Sequence, residues 1–337
     1  MNEFEYKLYT IDDIQAWPEP EWLIKNILPL GGFTEIYGKW GGGKTFVVLD
    51  WALSVASGIK WGGVYPVQQG PVVYVFGEGR PGIKRRINAW LDHHRYDRES
   101  KGIPFVCADT PPQLTILRDI NKFAEDVTSQ LSIPPKLIIF DTLARSIVGV
   151  DEDKSKDMGV VVAAADYFRK EFGSTVVVVH HSGYNEKRAR GSSAIPGGLD
   201  TIIKADKKED SRVIKITCDK MKDGGEFEDI AVTLVDSVEK EQDGRPVTLV
   251  CEMGGRLPVD SLDDLVKGKH AKTLLEYMVT EGSLGSLYGD LRSALHDLCQ
   301  IPEGSFPRAM KELEESQLVE KIGPLYVPTD KALAAFN

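Results

Sequence analysis

The sequence predicts an α/β fold with a largely parallel sheet, and three observations carry that prediction. Short apolar runs alternate with amphipathic stretches of helical spacing from about residue 22 to 253. The runs "VVYVF", "KLIIFD" and "TVVVVHH" are nearly all apolar, as strands buried on both faces must be. The stretch "GKWGGGKT" (38–45) lies between a strand pattern and a helix pattern, which is the context of a phosphate-binding loop.

The elements follow in order. Residues 1–21 mix polar and apolar types, end in "WPEPEW", and read as an N-terminal arm. Strands are expected at 33–37, 72–76, 104–107, 136–141, 175–180, 200–205, 212–219, 229–235 and near 247–252. Helices are expected at 44–57, 80–94, 116–131 and 155–172, the first closed by Gly58 as a C-terminal cap. The segment 254–269 mixes turn residues with acids and reads as a linker. From 270 to 337, three helical stretches precede "LVEKIGPLYVPT", two short alternating runs around Gly323-Pro324. That is a winged-helix pattern, whose third helix would be the recognition element if it reads DNA. The region of that helix holds Arg308 and Lys311 against Glu303, Glu312, Glu314 and Glu315, a poor match to phosphate, so a protein partner such as another replication protein is weighed equally with DNA.

Composition sets outer limits. At 337 residues, 42% hydrophobic and 27% charged, the chain is globular in type, with one large domain and a smaller one. No run approaches the roughly eighteen apolar residues of a membrane span, no export signal is visible, and a cytoplasmic setting without a membrane is expected. Cys107, Cys218, Cys251 and Cys299 lack zinc or disulfide spacing, and the histidines offer no third zinc ligand at a sensible spacing. A net charge of −10 argues against a coat of basic residues for nucleic acid but leaves room for a local basic groove.

The chemistry concentrates at the carboxyl ends of the predicted strands, where α/β proteins bind ligands. In Gly38-x-x-Gly41-Gly42-Gly43-Lys44-Thr45, backbone N–H groups would wrap phosphate oxygens, with Phe46 beginning the helix body. Lys44 would reach the β- and γ-phosphates of ATP, and the Thr45 hydroxyl would hold Mg²⁺. "KLIIFD" ends in Asp141, a second Mg²⁺ group of the Walker B type. Because Thr142 follows it, a second carboxylate is missing there. This favours Glu78, just past "VVYVF", as the carboxylate that activates water. His180 and His181 end the next strand; they alternate in direction, so one of them faces the γ-phosphate. The loop after them carries Lys187, Arg188 and Arg190, a candidate single-stranded nucleic-acid contact. Lys220 and Lys222 share a strand face, and their mutual repulsion calls for an anion between them, such as a neighbouring subunit's phosphate.

With these pieces assembled, residues 20–252 resemble the RecA-fold ATPases, and most the RepA and DnaB replicative helicases, in particular the RepA-like ATPases of phages and prophages. "GKWGGGKT", "FGEGR", "LIIFDTLAR", "VVVVHHSG", "RGSSAI" and "KMKDGG", in that order, carry the resemblance. It implies a ring-forming, hexameric ATPase of DNA replication that moves on single-stranded DNA, with a non-unwinding recombination mediator or helicase loader as the alternative. An ATP-responsive DNA-binding regulator is a third. By the resemblance, Glu78 is the catalytic glutamate, His181 the switch between γ-phosphate and DNA loop, and Lys220 and Lys222 the trans-acting cations. Two departures stand out. Lys222 replaces the usual arginine, giving a point charge without the planar fork. "AIPGGLD" lacks the arginine of plasmid RepA helicases, which leaves the trans role to Arg190 or to Lys220 and Lys222.

Overall fold

The computed structural model describes residues 8–77, 80–97, 102–152, 154–182, 197–255, 265–281, 285–297 and 302–336; at 80, 81, 155, 303, 330 and 334 it describes the backbone alone. Glu78, Lys187, Arg188 and Arg190 lie outside the described residues. The chain divides into two units, Met1–Leu257 and Pro258–Asn337.

The first unit begins with a short helix α1 (Ile11–Gln15), capped by Thr10, whose hydroxyl accepts from Asp13 N–H while the Asp13 carboxylate answers at the Thr10 N–H. A small antiparallel pair, β1 (Trp22–Ile24) and β2 (Leu28–Pro29), follows; sequence pattern did not call for it. The core is one nine-stranded sheet: β3 (Phe33–Gly38), β4 (Val72–Phe76), β5 (Phe105–Ala108), β6 (Leu137–Asp141), β7 (Thr175–His181), β8 (Thr201–Lys207), β9 (Val213–Met221), β10 (Ile230–Asp236) and β11 (Leu249–Met253). Its order is β11-β10-β9-β8-β3-β7-β6-β4-β5. Pairing is parallel from β5 to β8 and antiparallel from β8 to β11. Helices α2 (Lys44–Ser57), α3 (Arg80–His93), α4 (Leu117–Gln130) and α5 (Ser155–Phe172) complete the α/β core.

The all-apolar strands are central because both of their faces must be covered. Val72, Tyr74, Leu137, Ile139, Val177 and Val179 pack into the cluster formed with α2 and α3. Their alternate neighbours Val73, Val75, Ile138, Phe140, Val176 and Val178 pack into the cluster formed with α4 and α5. The alternating strands β8 and β10 are half buried instead. Helix α2 is buried on nearly every side and closes at Gly58, whose φ of +78° is the left-handed cap conformation. No helix among the described residues is long and apolar enough to cross a membrane.

The second unit holds α6 (Lys269–Thr280), β12 (Ser286–Leu287), α7 (Tyr288–Asp297), α8 (Phe306–Glu315), β13 (Val319–Ile322), β14 (Leu325–Pro328) and α9 (Asp330–Ala334). Its three strands form an antiparallel sheet in the order β12-β14-β13. Leu274, Leu275, Leu291, Phe306, Met310 and Leu313 share its core. One acid of α8 is not available to repel a ligand. Glu312 Oε1 accepts the backbone N–H groups of Lys267 (2.9 Å) and Gly268 (2.8 Å), capping the start of α6.

Candidate active site

A strand that ends in glycine and turns at once into a helix aims its backbone N–H groups at the space above the sheet. β3 ends at Gly38 and α2 starts at Lys44, with Gly43 as its N-cap at φ +85°. A side chain on Gly38 would meet the Ala205 carbonyl at 2.1 Å, and one on Gly43 would meet the Ile214 side chain at 2.3 Å. The glycines therefore serve close backbone approach, on top of the turn itself.

The loop borders a pocket of about 600 Å³. Gly41, Gly42, Gly43, Lys44, Thr45 and Phe46 line one side, and Asp141 and His181 face them from the ends of β6 and β7. Lys44 is buried, and its ammonium donates to the carbonyls of Gly38 and Lys39, each at 2.7 Å. Burial pulls its pKa down to about 8, against the opposing pull of Asp141. Asp141 is raised above the ordinary carboxylate range by burial, although hydrogen bonds from Tyr74 and Thr45 and the charges of Arg86 and Lys44 work the other way. Tyr74 Oη donates to Asp141 at 2.7 Å, and burial holds its phenol well above the usual range. A buried carboxylate pushed upward, bonded to a hydroxyl at the mouth of a glycine cradle, fits a divalent cation and a polyphosphate. Lys44, Thr45 and Asp141 would hold them.

Strand alternation settles which histidine meets that pocket. His181 lines it, on the face shared by Val177 and Val179. His180 points to the opposite face, 1% exposed, with Nδ1 2.8 Å from Glu35 Oε1 and Nε2 3.7 Å from Glu152 Oε2. Burial alone would lower the His180 imidazole, but Glu152 and Glu35 outweigh it and raise it to about 9. Glu152 belongs to the stretch "VGVDEDKSKDMG" (148–159), which carries four acids and two lysines in the sequence, and it is thereby turned inward.

Lys220 and Lys222 are not in this pocket. The register sets Ile202 opposite Lys220 and Lys207 opposite Ile214, while Lys207 lines the pocket. Five strand residues separate the two positions, roughly 17 Å, so the lysines stand near the opposite end of the β8–β9 pair. Each has a partner within the chain. Lys220 Nζ donates to the Leu199 carbonyl at 2.6 Å, and Lys222 Nζ lies 3.3 Å from Asp200 Oδ1. The repulsion expected between them is thus relieved locally, and a neighbour's phosphate is not needed to explain it.

Sequence reading missed several pocket residues. Arg86 of α3 sets its guanidinium carbon 4.6 Å from the centre of the Phe46 ring and adds positive charge beside Asp141. Helical spacing from the "GEGR" turn was the available signal. Tyr74 hides inside an apolar strand, and Lys207 and Arg212 reach the pocket from the β8–β9 hairpin.

A family model described as an AAA domain matches residues 2–187, more than half of the chain. The chain belongs to this family. No curated protein matches the sequence. Among solved structures, this AAA-domain protein is similar to a KaiC-like protein from the hyperthermophilic archaeon Pyrococcus horikoshii OT3, with 15% identity and a TM-score of 0.45 over 68% of this chain and 93% of the other. It is also similar to the RadB recombinase, with 15% identity and a TM-score of 0.43 over 62% and 89%.

Proposed function

We propose that this AAA-domain protein hydrolyses ATP in a head-to-tail hexameric ring and uses the cycle to move on single-stranded DNA during replication. The observation that supports the reading best is the convergence of Lys44, Thr45, Asp141 and His181 on one pocket beside the glycine loop, with Lys220 and Lys222 standing away from it. In this reading they exchange their contacts with Leu199 and Asp200 for the nucleotide of the next copy, and copies arranged that way assemble head to tail. Lys44 and the glycine N–H groups bind the phosphates; Thr45 and Asp141 hold Mg²⁺, which neutralises phosphate charge when bound. Glu78, at the exit of β4, takes the proton of the attacking water, and His181 reports the γ-phosphate to the loop carrying Lys187, Arg188 and Arg190. In this reading the second unit is a winged helix that recruits a protein or DNA partner.

The alternative, a non-unwinding RecA-like ATPase, draws on the four acids of 148–159, a stretch that by analogy with the DnaB-like helicases would face the DNA in the ring channel. The inward turn of Glu152 and the pairing of Asp151 with Lys154 at 3.4 Å reduce that objection.

A mixing experiment tests the proposal. Glu78→Gln subunits have a dead site and intact lysines; Lys220→Ala/Lys222→Ala subunits have the reverse. Mixed rings contain some complete interfaces, so turnover should exceed the sum of the two variants and rise further with single-stranded DNA. Turnover per subunit that is independent of concentration and shows no rescue would refute the trans assembly. Rescue without any effect of single-stranded DNA would favour the non-unwinding alternative.

A further inference from the structure

Helices α2 and α3 are joined by two rungs one helical turn apart. Phe46 and Asp50 are four residues apart on α2, and Arg86 and Trp90 are four residues apart on α3, so each pair shares a face. The upper rung is Arg86 over Phe46, at the pocket. In the lower rung, Trp90 Nε1 donates to Asp50 Oδ1 at 2.5 Å. Asp50 Oδ2 accepts a second indole N–H, from Trp61 at 2.8 Å, in the turn just after α2. Asp50 is 6% exposed and sits among apolar neighbours.

This is a costly arrangement if it serves only packing. A buried carboxylate usually has a cation beside it; here two indoles fix its direction instead. Burial raises Asp50 to about 7, and the bonds from Trp90 and Trp61 resist the rise. The other titratable groups around it are His94, whose ring lies tilted against Trp90 at 4.2 Å, Cys251 of β11, and the His93–Glu252 pair at 3.8 Å between α3 and β11. Burial and His93 hold His94 down at about 4, and burial raises the Cys251 thiol, so both stay uncharged at neutral pH. An ionised carboxylate offers an acceptor to each indole, whereas an amide presents a donor at one of the two positions.

We infer that Asp50 is a positioning residue for the ATPase site: its two-indole clamp fixes α3 against the phosphate-loop helix and so holds Arg86 beside Phe46 and Asp141. The inference rests on the ATPase reading for its catalytic consequence, but the clamp itself is independent of nucleotide.

The test combines two measurements on the full chain. In hydrogen exchange without nucleotide, Asp50→Asn should lose protection across residues 80–93 while α5 keeps its own. In ATP turnover, Asp50→Asn should lower kcat about tenfold with ATP affinity within about threefold, because misplacing a charged group acts on the reacting geometry. In an Arg86→Ala background the same substitution should cost almost nothing further, as residues acting through one another are non-additive. A purely structural Asp50 would instead lower kcat additively in both backgrounds, and that result, or unchanged exchange in α3, would overturn the inference. Trp90→Phe keeps the ring and removes one donor; it should give the same signature, and it decides the matter if Asp50→Asn does not fold. Should the wild-type chain show no turnover at all, the ATPase reading fails, while the exchange of α3 still decides whether the clamp exists.

Discussion

The buried pair of His180 and Glu35 makes stability depend on pH in a direction that can be worked out. His180 is raised from the ordinary 6.5 to about 9, with burial opposing the rise and Glu152 and Glu35 driving it. A histidine raised on folding contributes stability that is fully present below 6.5 and is lost as pH climbs through 9. The difference corresponds to about 3 kcal/mol. Lys44, lowered to about 8 by burial, acts oppositely above pH 8, since its folded form gives up its proton before the unfolded chain does. The comparison must therefore be with a variant in which Lys44 is unchanged. In Glu35→Gln/His180→Gln both groups are neutral and able to bond each other, so the histidine contribution is absent. Urea unfolding followed by tryptophan fluorescence, from pH 6 to 9.5, reads the first unit alone, because all 6 tryptophans precede residue 91. Wild type minus double variant should fall by about 3 kcal/mol between pH 6.5 and 9. A difference curve that stays flat would refute the charged pair.

Two further outcomes are expected. Lys44→Ala should weaken ATP binding by about a hundredfold or more, measured by calorimetric titration, while leaving urea stability unchanged or raised, because it removes a buried cation. Glu312→Ala should destabilise the second unit by about 1–2 kcal/mol, seen as faster amide exchange at 269–280, because two N–H groups at the start of α6 lose their acceptor.

Much of the site could be read before the structure because it depends on local chain geometry. The loop at 38–45 is contiguous, and strand period places Asp141 at the end of β6. The same period required His180 and His181 to part ways, yet which of them faces the pocket needed the sheet, since alternation gives two answers and packing picks one. The residues that escaped notice depend on contacts distant in sequence. Arg86 matters because α3 lies along α2. Asp200 relieves Lys222 because β8 and β9 are antiparallel across 22 residues. Glu312 looked like a repelling charge on a surface helix until it proved to be a cap for a helix whose N-cap residue lies 44 residues earlier. Charge counted along a sequence does not reveal which way each side chain turns.

The separation of the glycine loop from Lys220 and Lys222 along β8 also gives the molecule a polarity. If Lys220 and Lys222 serve a neighbouring copy as proposed, the surface that accepts is not the surface that offers. A two-fold pair, in which identical patches face one another, would match neither need well, whereas a translation-and-rotation contact satisfies both and leaves one unmatched end on every open assembly. The angle between successive copies then decides everything about size: if it divides a full turn the chain of contacts closes, and if it misses slightly the same contacts grow into a filament. A substitution that only tilts this contact, without touching a phosphate ligand, could therefore exchange a finite particle for an endless one.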